Sequence, residues 1–278
     1  ALGMNNHVLL HALGTEGWCA IFNALCDNEA NQIESWDLSE QGIVWDPQIS
    51  KALAEYVSGC AVLTACNVRG NKLDSESAHT LAKAATEKGV MLFGIKHDQT
   101  EANFGCARCL EPADGILIAS DLRVSAVLKS LELRSNSITD EGAIAIGESL
   151  KTNSTLEELD LGNNGIGPAG GQAIGVGLQA GIAVLKKLSL EDCKIHDDGA
   201  VAISESLKVN KSLEDLNLNN CGIGARGGKA IGEALQLGTA VLTGCCLLKN
   251  NLDVESAKML AKIGTEKQIM LSGMKRDQ

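Results

Sequence analysis

From Leu128 onward one frame, L-x-x-L-x-L-x-x-(N/C)-x-(I/L), returns every 28 or 29 residues. It reads Leu128-Leu131-Leu133-Asn136-Ile138, Leu156-Leu159-Leu161-Asn164-Ile166, Leu185-Leu188-Leu190-Cys193-Ile195 and Leu213-Leu216-Leu218-Cys221-Ile223. A fixed period of this size predicts a solenoid in which each repeat is one supersecondary unit that buries its apolar side only by stacking on its neighbours. The fourth and sixth positions alternate as a short strand does. Asn at the ninth can satisfy the backbone groups of the turn that follows, and Cys is a small substitute with a weak S–H donor. A helix follows, with Ile146 and Leu150 on one face and Asp140 and Glu141 where an N-cap and an acidic first turn belong.

The frame extends towards both ends. Leu63-Cys66-Val68-Asn71-Leu73, Ile33-Trp36-Leu38-Gln41-Ile43 and Leu242-Cys245-Leu247-Asn250-Leu252 fit it, and a degraded copy covers Val8, His11 and Leu13, with Glu16-Gly17-Trp18 opening its helix. The domain reading is a single solenoid over 1–278, with starts at 3, 33, 63, 92, 128, 156, 185, 213 and 242 and a truncated tenth repeat at Leu271. Residues 128–184 resemble 185–241, and residues 63–99 match 242–278 at an offset of 179 without a gap. The shared pattern is NxLDxESAxxLAKxxTEK, closing on ML-x-G-x-K-x-DQ. With Ala1 in place of Met and no polar cap at either terminus, the expectation is a window on a longer array.

The 28/29 alternation, the strand frame and the helix pattern G-A-x-A-I-x-E-x-L resemble the ribonuclease-inhibitor-like class of leucine-rich repeats over nearly the whole chain. The resemblance implies an α/β solenoid, a horseshoe with parallel strands on the concave face and helices on the convex face. It also implies protein binding in the groove. Members of the class include a Ran-type GTPase-activating protein, which makes GTPase regulation an alternative, though no matching site stands out in this sequence.

The repeat at 92–127 is 36 residues long and irregular. Its fourth slot falls on Ile95 and its sixth on His97, where Leu belongs, so the strand is expected to end early and Lys96–Glu101 to loop out. Such a loop either touches a partner or breaks the curvature between blocks.

Composition narrows the function classes. A net charge of −11 argues against nucleic acid or an anionic membrane as partner and permits a basic protein segment. The longest apolar runs fall short of a membrane span. Of ten cysteines, Cys193 and Cys221 take the Asn slot, Cys66 and Cys245 the fourth slot and Cys19 a helix slot, a placement that points to buried thiols in a reducing, intracellular compartment. Cys106-x-x-Cys109 has neither the second pair of a zinc site nor a redox-fold context. Five scattered histidines and Gly-x-Gly turns at 165–167 and 222–224 form no catalytic, metal or nucleotide pattern, so a non-enzyme without cofactor is expected.

The frame points the residues between the Leu slots into the groove: Asp37, Arg69, Lys96, Glu132, Arg134, Glu158, Asp160, Lys187, Glu191, Asp215 and Asn217. They are mainly acidic towards the C-terminal half. Cys246 and Leu248 are expected on the same face, Trp36 in the core, and Trp45 either as an exposed anchor or as a closure of the N-terminal end. The functional expectation is a protein-interaction scaffold. The alternative to groove binding is a structural subunit that packs through helices and loops.

Overall fold

A computed structural model describes residues 13–28, 30–106, 110–180, 182–237 and 241–272. Helices and strands alternate along the chain: α1 (Thr15–Cys26), β1 (Ser35–Asp37), α2 (Pro47–Gly59), β2 (Ala65–Asn67), α3 (Ser75–Lys88), β3 (Glu101–Asn103), α4 (Pro112–Val124), β4 (Ser130–Glu132) and α5 (Asp140–Leu150). They continue as β5 (Glu158–Asp160), α6 (Pro168–Leu178), β6 (Lys187–Ser189), α7 (His196–Leu207), β7 (Asp215–Asn217), α8 (Ala225–Leu237), β8 (Gly244–Cys246), α9 (Val254–Lys267) and β9 (Met270–Ser272). Each of the three prolines, Pro47, Pro112 and Pro168, is the first residue of a helix, where its missing N–H is no loss.

Two compact units are present. One holds the described residues up to His97 together with Ile116–Val124, and the other holds Asp98–Gly115 and the described residues from Ser125 on. In the first, β1 and β2 form a parallel pair with Trp36 beside Cys66. In the second, β3 to β9 form a seven-stranded parallel sheet in chain order. Its register never slips: Ala102, Leu131, Leu159, Leu188, Leu216, Cys245 and Leu271 lie side by side. The strand-and-helix repeat is therefore an α/β solenoid arrangement. A shift by one residue would turn each of these apolar side chains to the opposite face.

The ninth slot joins the repeats. Asn164 Nδ2 donates to Leu161 O in its own repeat (2.9 Å) and to Leu133 O in the repeat before (3.0 Å), while its Oδ1 accepts from Ile138 N (3.0 Å). Asn71, Asn136 and Asn250 repeat the pattern. Where the slot holds Cys, the thiol supplies only the donor: Cys193 Sγ reaches Leu161 O at 3.4 Å and Cys221 Sγ reaches Leu190 O at 3.1 Å.

The eighth slot is a left-handed turn. Glu40, Gly70, Cys106, Ser135, Asn163, Asp192, Asn220 and Lys249 all have φ between 52° and 71°. Cys106 is thus the turn residue of its repeat, and its amide donates to Arg134 O at 3.1 Å as the amides of Glu40, Ser135, Asn163, Asp192 and Asn220 do to the repeat that follows each. Cys109 lies outside the described residues, as do Val8 and His11.

Four expectations are corrected. The irregular repeat carries its strand at 101–103, so Ala102 and Phe104 fill the slots assigned to Ile95 and His97, and Glu101 belongs to β3 rather than to a loop. The reason lies at the end of α3. Gly89 turns left-handed, the chain re-enters at once, and Met91 bridges Ala65. The Asp121 carboxylate of α4 then takes the amides of Leu92 (2.6 Å) and Phe93 (2.9 Å), and Val90, Met91, Leu92, Phe93 and Ile95 are buried. The connection from Lys96 to Thr100 lies outside any strand, with Lys96, His97, Asp98 and Thr100 exposed and His97 Nε2 3.0 Å from Thr64 O. The same early return puts Leu271 in a fourth slot rather than the first slot of a tenth repeat. Asp140 does not cap its own helix: Oδ1 accepts from Gly167 N (2.7 Å) and Gly170 N (2.8 Å), the start of α6, and Asp197 does the same for Gly224 and Gly227 at α8. Trp36 is half-buried, edge-on to Phe22 and Tyr56, whereas Trp18 and Trp45 are buried.

Candidate functional site

The strand face of the β3–β9 unit carries the densest set of ionisable groups that the repeat frame singled out. The side chain at the fifth slot turns back to accept the amide two residues on. Glu132 Oε1 accepts Arg134 N at 3.0 Å, Asp160 Oδ1 accepts Gly162 N at 2.7 Å and Asn217 Oδ1 accepts Asn219 N at 3.1 Å. Asn103 does so for Gly105, and in the other unit Asp37 and Asn67 do so for Ser39 and Arg69. These residues end the strand as well as lining the face, because an amide leaving a ladder needs an acceptor.

Arg134 is the centre of the face. Its Nη1 donates to Glu191 Oε2 at 2.8 Å and lies 4.0 Å from Asp160 Oδ2, and its Nη2 lies 4.0 Å from Asp192 Oδ2. The side chain crosses from β4 past β5 to the turn after β6, a span of about 10 Å at ordinary strand spacing. Gly162 clears the way, since a Cβ there would sit 2.8 Å from Nη1. Glu191 also accepts from Asn219 Nδ2 at 2.9 Å and Asn217 Nδ2 at 3.3 Å. The Arg134 hydrogen bond holds the Glu191 carboxyl below its ordinary pKa and raises that of the guanidinium. Glu132 is shifted upward, by desolvation first and with the Asp160 charge adding to it. The group is therefore a set of acidic residues around one arginine, partly open to solvent.

A second row lies outside it. Lys187 Nζ pairs with Glu158 Oε1 at 2.6 Å, and exposed Asp215 follows on the next strand. At the strand entrances Glu157 sits between Lys129 (3.3 Å) and Lys186 (2.6 Å).

The structure thus brings together Glu132, Arg134, Asp160, Glu191 and Asn217, and places Glu158, Lys187 and Asp215 beside them. Asp37 and Arg69 belong to the other unit, where Arg69 lies 5.9 Å over the Phe93 ring. Lys96 is on the exposed connection after α3, not on a strand. Cys246 is half-buried and Leu248 exposed at the end of β8. The repeat reading overlooked Asp192 and Asn219, although Asp192 follows Glu191 directly and Asn219 occupies the same seventh slot as Arg134 and Glu191. It also overlooked the second-slot alternation Lys129, Glu157, Lys186, Glu214. Among the described residues no cluster of His, Cys, Asp and Glu suited to a metal ion occurs, and no helix is long and apolar enough to cross a membrane.

A family model described as leucine-rich repeat matches four consecutive segments, residues 124–147, 152–175, 183–204 and 209–232. Residues 124–232 of the chain carry leucine-rich repeats. No curated protein sequence matches it. Among solved structures, the chain is similar to leiomodin-1 actin-binding site 2, at 19% identity over 67% of this chain and 89% of that one, with a TM-score of 0.36. It is also similar to an internalin from Listeria monocytogenes, at 15% identity over 95% of each chain, with a TM-score of 0.35.

Proposed function

We propose that this leucine-rich repeat protein is a non-catalytic interaction scaffold, of the ribonuclease-inhibitor-like class, whose strand face recognises a partner bearing a basic segment. In this reading the chain works as one array of about nine repeats, and its buried thiols suit a reducing, intracellular compartment. The observation that carries the proposal is the recurrence of carboxylates along one face, Glu132, Glu158, Asp160 and Asp215 on adjacent strands and Glu191 in the turn after β6, against Arg134 and Lys187. Complementary charge steers encounter and suppresses wrong partners.

Affinity capture from native extract tests the reading, with a variant that spares the framework. Asp160 and Glu191 hold Gly162 and Arg134, so reversing them would disturb the strands. Glu158→Lys with Asp215→Lys changes the face at a half-buried and an exposed position, neither of which holds a backbone amide. A partner with a basic segment that is lost from the variant supports the proposal. A partner held equally by both proteins overturns it.

A second reading, a structural subunit that packs through its edges, draws on exposed Ile182, Val209 and Leu237 where helices turn back to strands. Loss of the partner from Val209→Glu with Leu237→Glu, and not from the face variant, would select it.

A further inference from the structure

The internal duplication supplies a comparison within one molecule. Helices α3 and α9 share the pattern NxLDxESAxxLAKxxTEK and run over equivalent residues, Ser75–Lys88 and Val254–Lys267. Both begin at an Asp whose side chain accepts from the Ser three residues on, and both end on a left-handed residue, Gly89 or Gln268. Both return at once to the sheet, Met91 beside Ala65 and Met270 beside Gly244.

Their outer faces differ. Over α3, Ser120 of α4 donates to Ala82 O at 3.2 Å and lies 3.1 Å from Thr86 Oγ1, while Asp121 takes the amides of Leu92 and Phe93. Ala78 and Ala82 are buried there, and Met91 is 1% exposed. The equivalent residues of α9 and β9 are open: Ala261 and Thr265 are exposed, Ala257 and Leu271 are half-buried, and Met270 is 75% exposed. The same side chains that pack a helix in the first copy face solvent in the second.

We infer that the face formed by Ala257, Ala261, Thr265, Met270 and Leu271 is a docking site for a helix of the α4 kind, carrying an apolar turn followed by a Ser–Asp pair. Small residues at four-residue spacing let the helix approach closely. The Ser hydroxyl meets the Ala261 carbonyl and Thr265, and the Asp carboxylate meets the backbone of the returning strand, as Ser120 and Asp121 do over α3. This site is separate from the strand face and does not depend on the reading proposed for it.

The test uses the whole 278-residue chain and the segment that fills the equivalent face in the first copy. Residues 100–127 are appended after Gln278, so that the segment follows 242–278 as it follows 63–99, and hydrogen exchange is followed in 254–272. Docking is expected to slow exchange of the α9 amides by about tenfold or more. That protection is expected to vanish when the appended copy carries Asp121→Ala, and again when Ala261→Arg blocks the exposed face. A free peptide of residues 111–127, added in excess, is expected to give the same protection and the same two losses. Unchanged α9 exchange in the appended chain overturns the inference. Protection that both variants retain also overturns it. Protection of the unmodified chain that grows with its own concentration and is lost in Ala261→Arg would make a second copy the occupant, and would equally overturn the α4-type assignment.

Discussion

The Arg134 guanidinium reaches Glu191 at 2.8 Å because the residue between them, Gly162, has no side chain. Gly162→Val would place atoms where Nη1 now lies and break the pair. Both partners are partly exposed, so the expected loss of stability is about 1–2 kcal/mol, part of it from Glu191 left facing Asp160 and Asp192. Urea unfolding of Gly162→Val, Arg134→Ala and the double variant checks it. If Gly162 acts through Arg134, the double variant costs less than the sum of the singles; strict additivity would show that it does not.

Asp140 caps the helix that follows its own. Removing it in Asp140→Ala leaves the amides of Gly167 and Gly170 unpaired at the start of α6, with a cost of about 1–2 kcal/mol. The diagnostic readout is location. Faster hydrogen exchange is expected in the first turn of α6, and loosening confined to α5 would contradict the cross-repeat cap. Asp197→Ala is expected to act likewise on α8.

Much of this architecture was legible as spacing. Strand slots, the Asn ladder and the duplication all depend on which residue type recurs at a fixed distance, and Leu131, Leu159, Leu188 and Leu216 lie where the frame puts them. The frame failed where one contact between distant residues overrides it. Asp121, 29 residues from Leu92, takes the amides of Leu92 and Phe93 ahead of the expected strand, and the strand lies at Glu101–Asn103 instead of around Ile95. The polar face was legible only as a list. The frame puts Asp160 in a fifth slot and Asp215 in a third, but spacing alone does not tell that a fifth-slot carboxylate turns back to hold the amide two residues on. Nor does it tell that Gly162 opens a path for Arg134, since that requires knowing which rotamer the arginine adopts.

The ninth slot predicts a graded series. Asn164→Leu leaves Ile138 N without its acceptor and takes one of two donors from Leu133 O and Leu161 O, which keep Asn136 and Cys193, and is expected to cost about 2 kcal/mol. Asn164→Cys keeps a donor near Leu133 O, as Cys193 does for Leu161 O, and is expected to cost roughly half as much. Thermal or urea unfolding of the two variants orders them. Equal destabilisation would mean that the thiol contributes volume alone.

Lys249 occupies the left-handed eighth slot at φ 55° with its side chain exposed. Lys249→Gly removes the Cβ strain without touching the core and is expected to stabilise by about 0.5–1 kcal/mol, net of the entropy that glycine adds to the unfolded chain. Gly70 already fills the same slot at φ 71°. A drop in the urea midpoint would show that Lys249 holds its turn through its side chain.

Asp121 gives the chain a distinct pH dependence. Burial pushes its pKa up to about 7, against the pull of the amides of Leu92, Phe93 and Ile95, which favour the charged form. The unfolded chain releases this proton near pH 3.9. Between about pH 4 and 7 the folded state therefore holds the proton more tightly than the unfolded state does, so the contribution of this group is fully present below pH 4 and is lost as pH rises through 7. Asp121→Asn cannot titrate. It also turns an amide group towards either Leu92 N or Phe93 N, so it is expected to be less stable than the parent at pH 5. Between pH 5 and 7.5 the parent is expected to lose stability relative to the variant, narrowing the gap. Urea unfolding at the two values measures it, and a gap that stays constant would show that Asp121 is already ionised at pH 5.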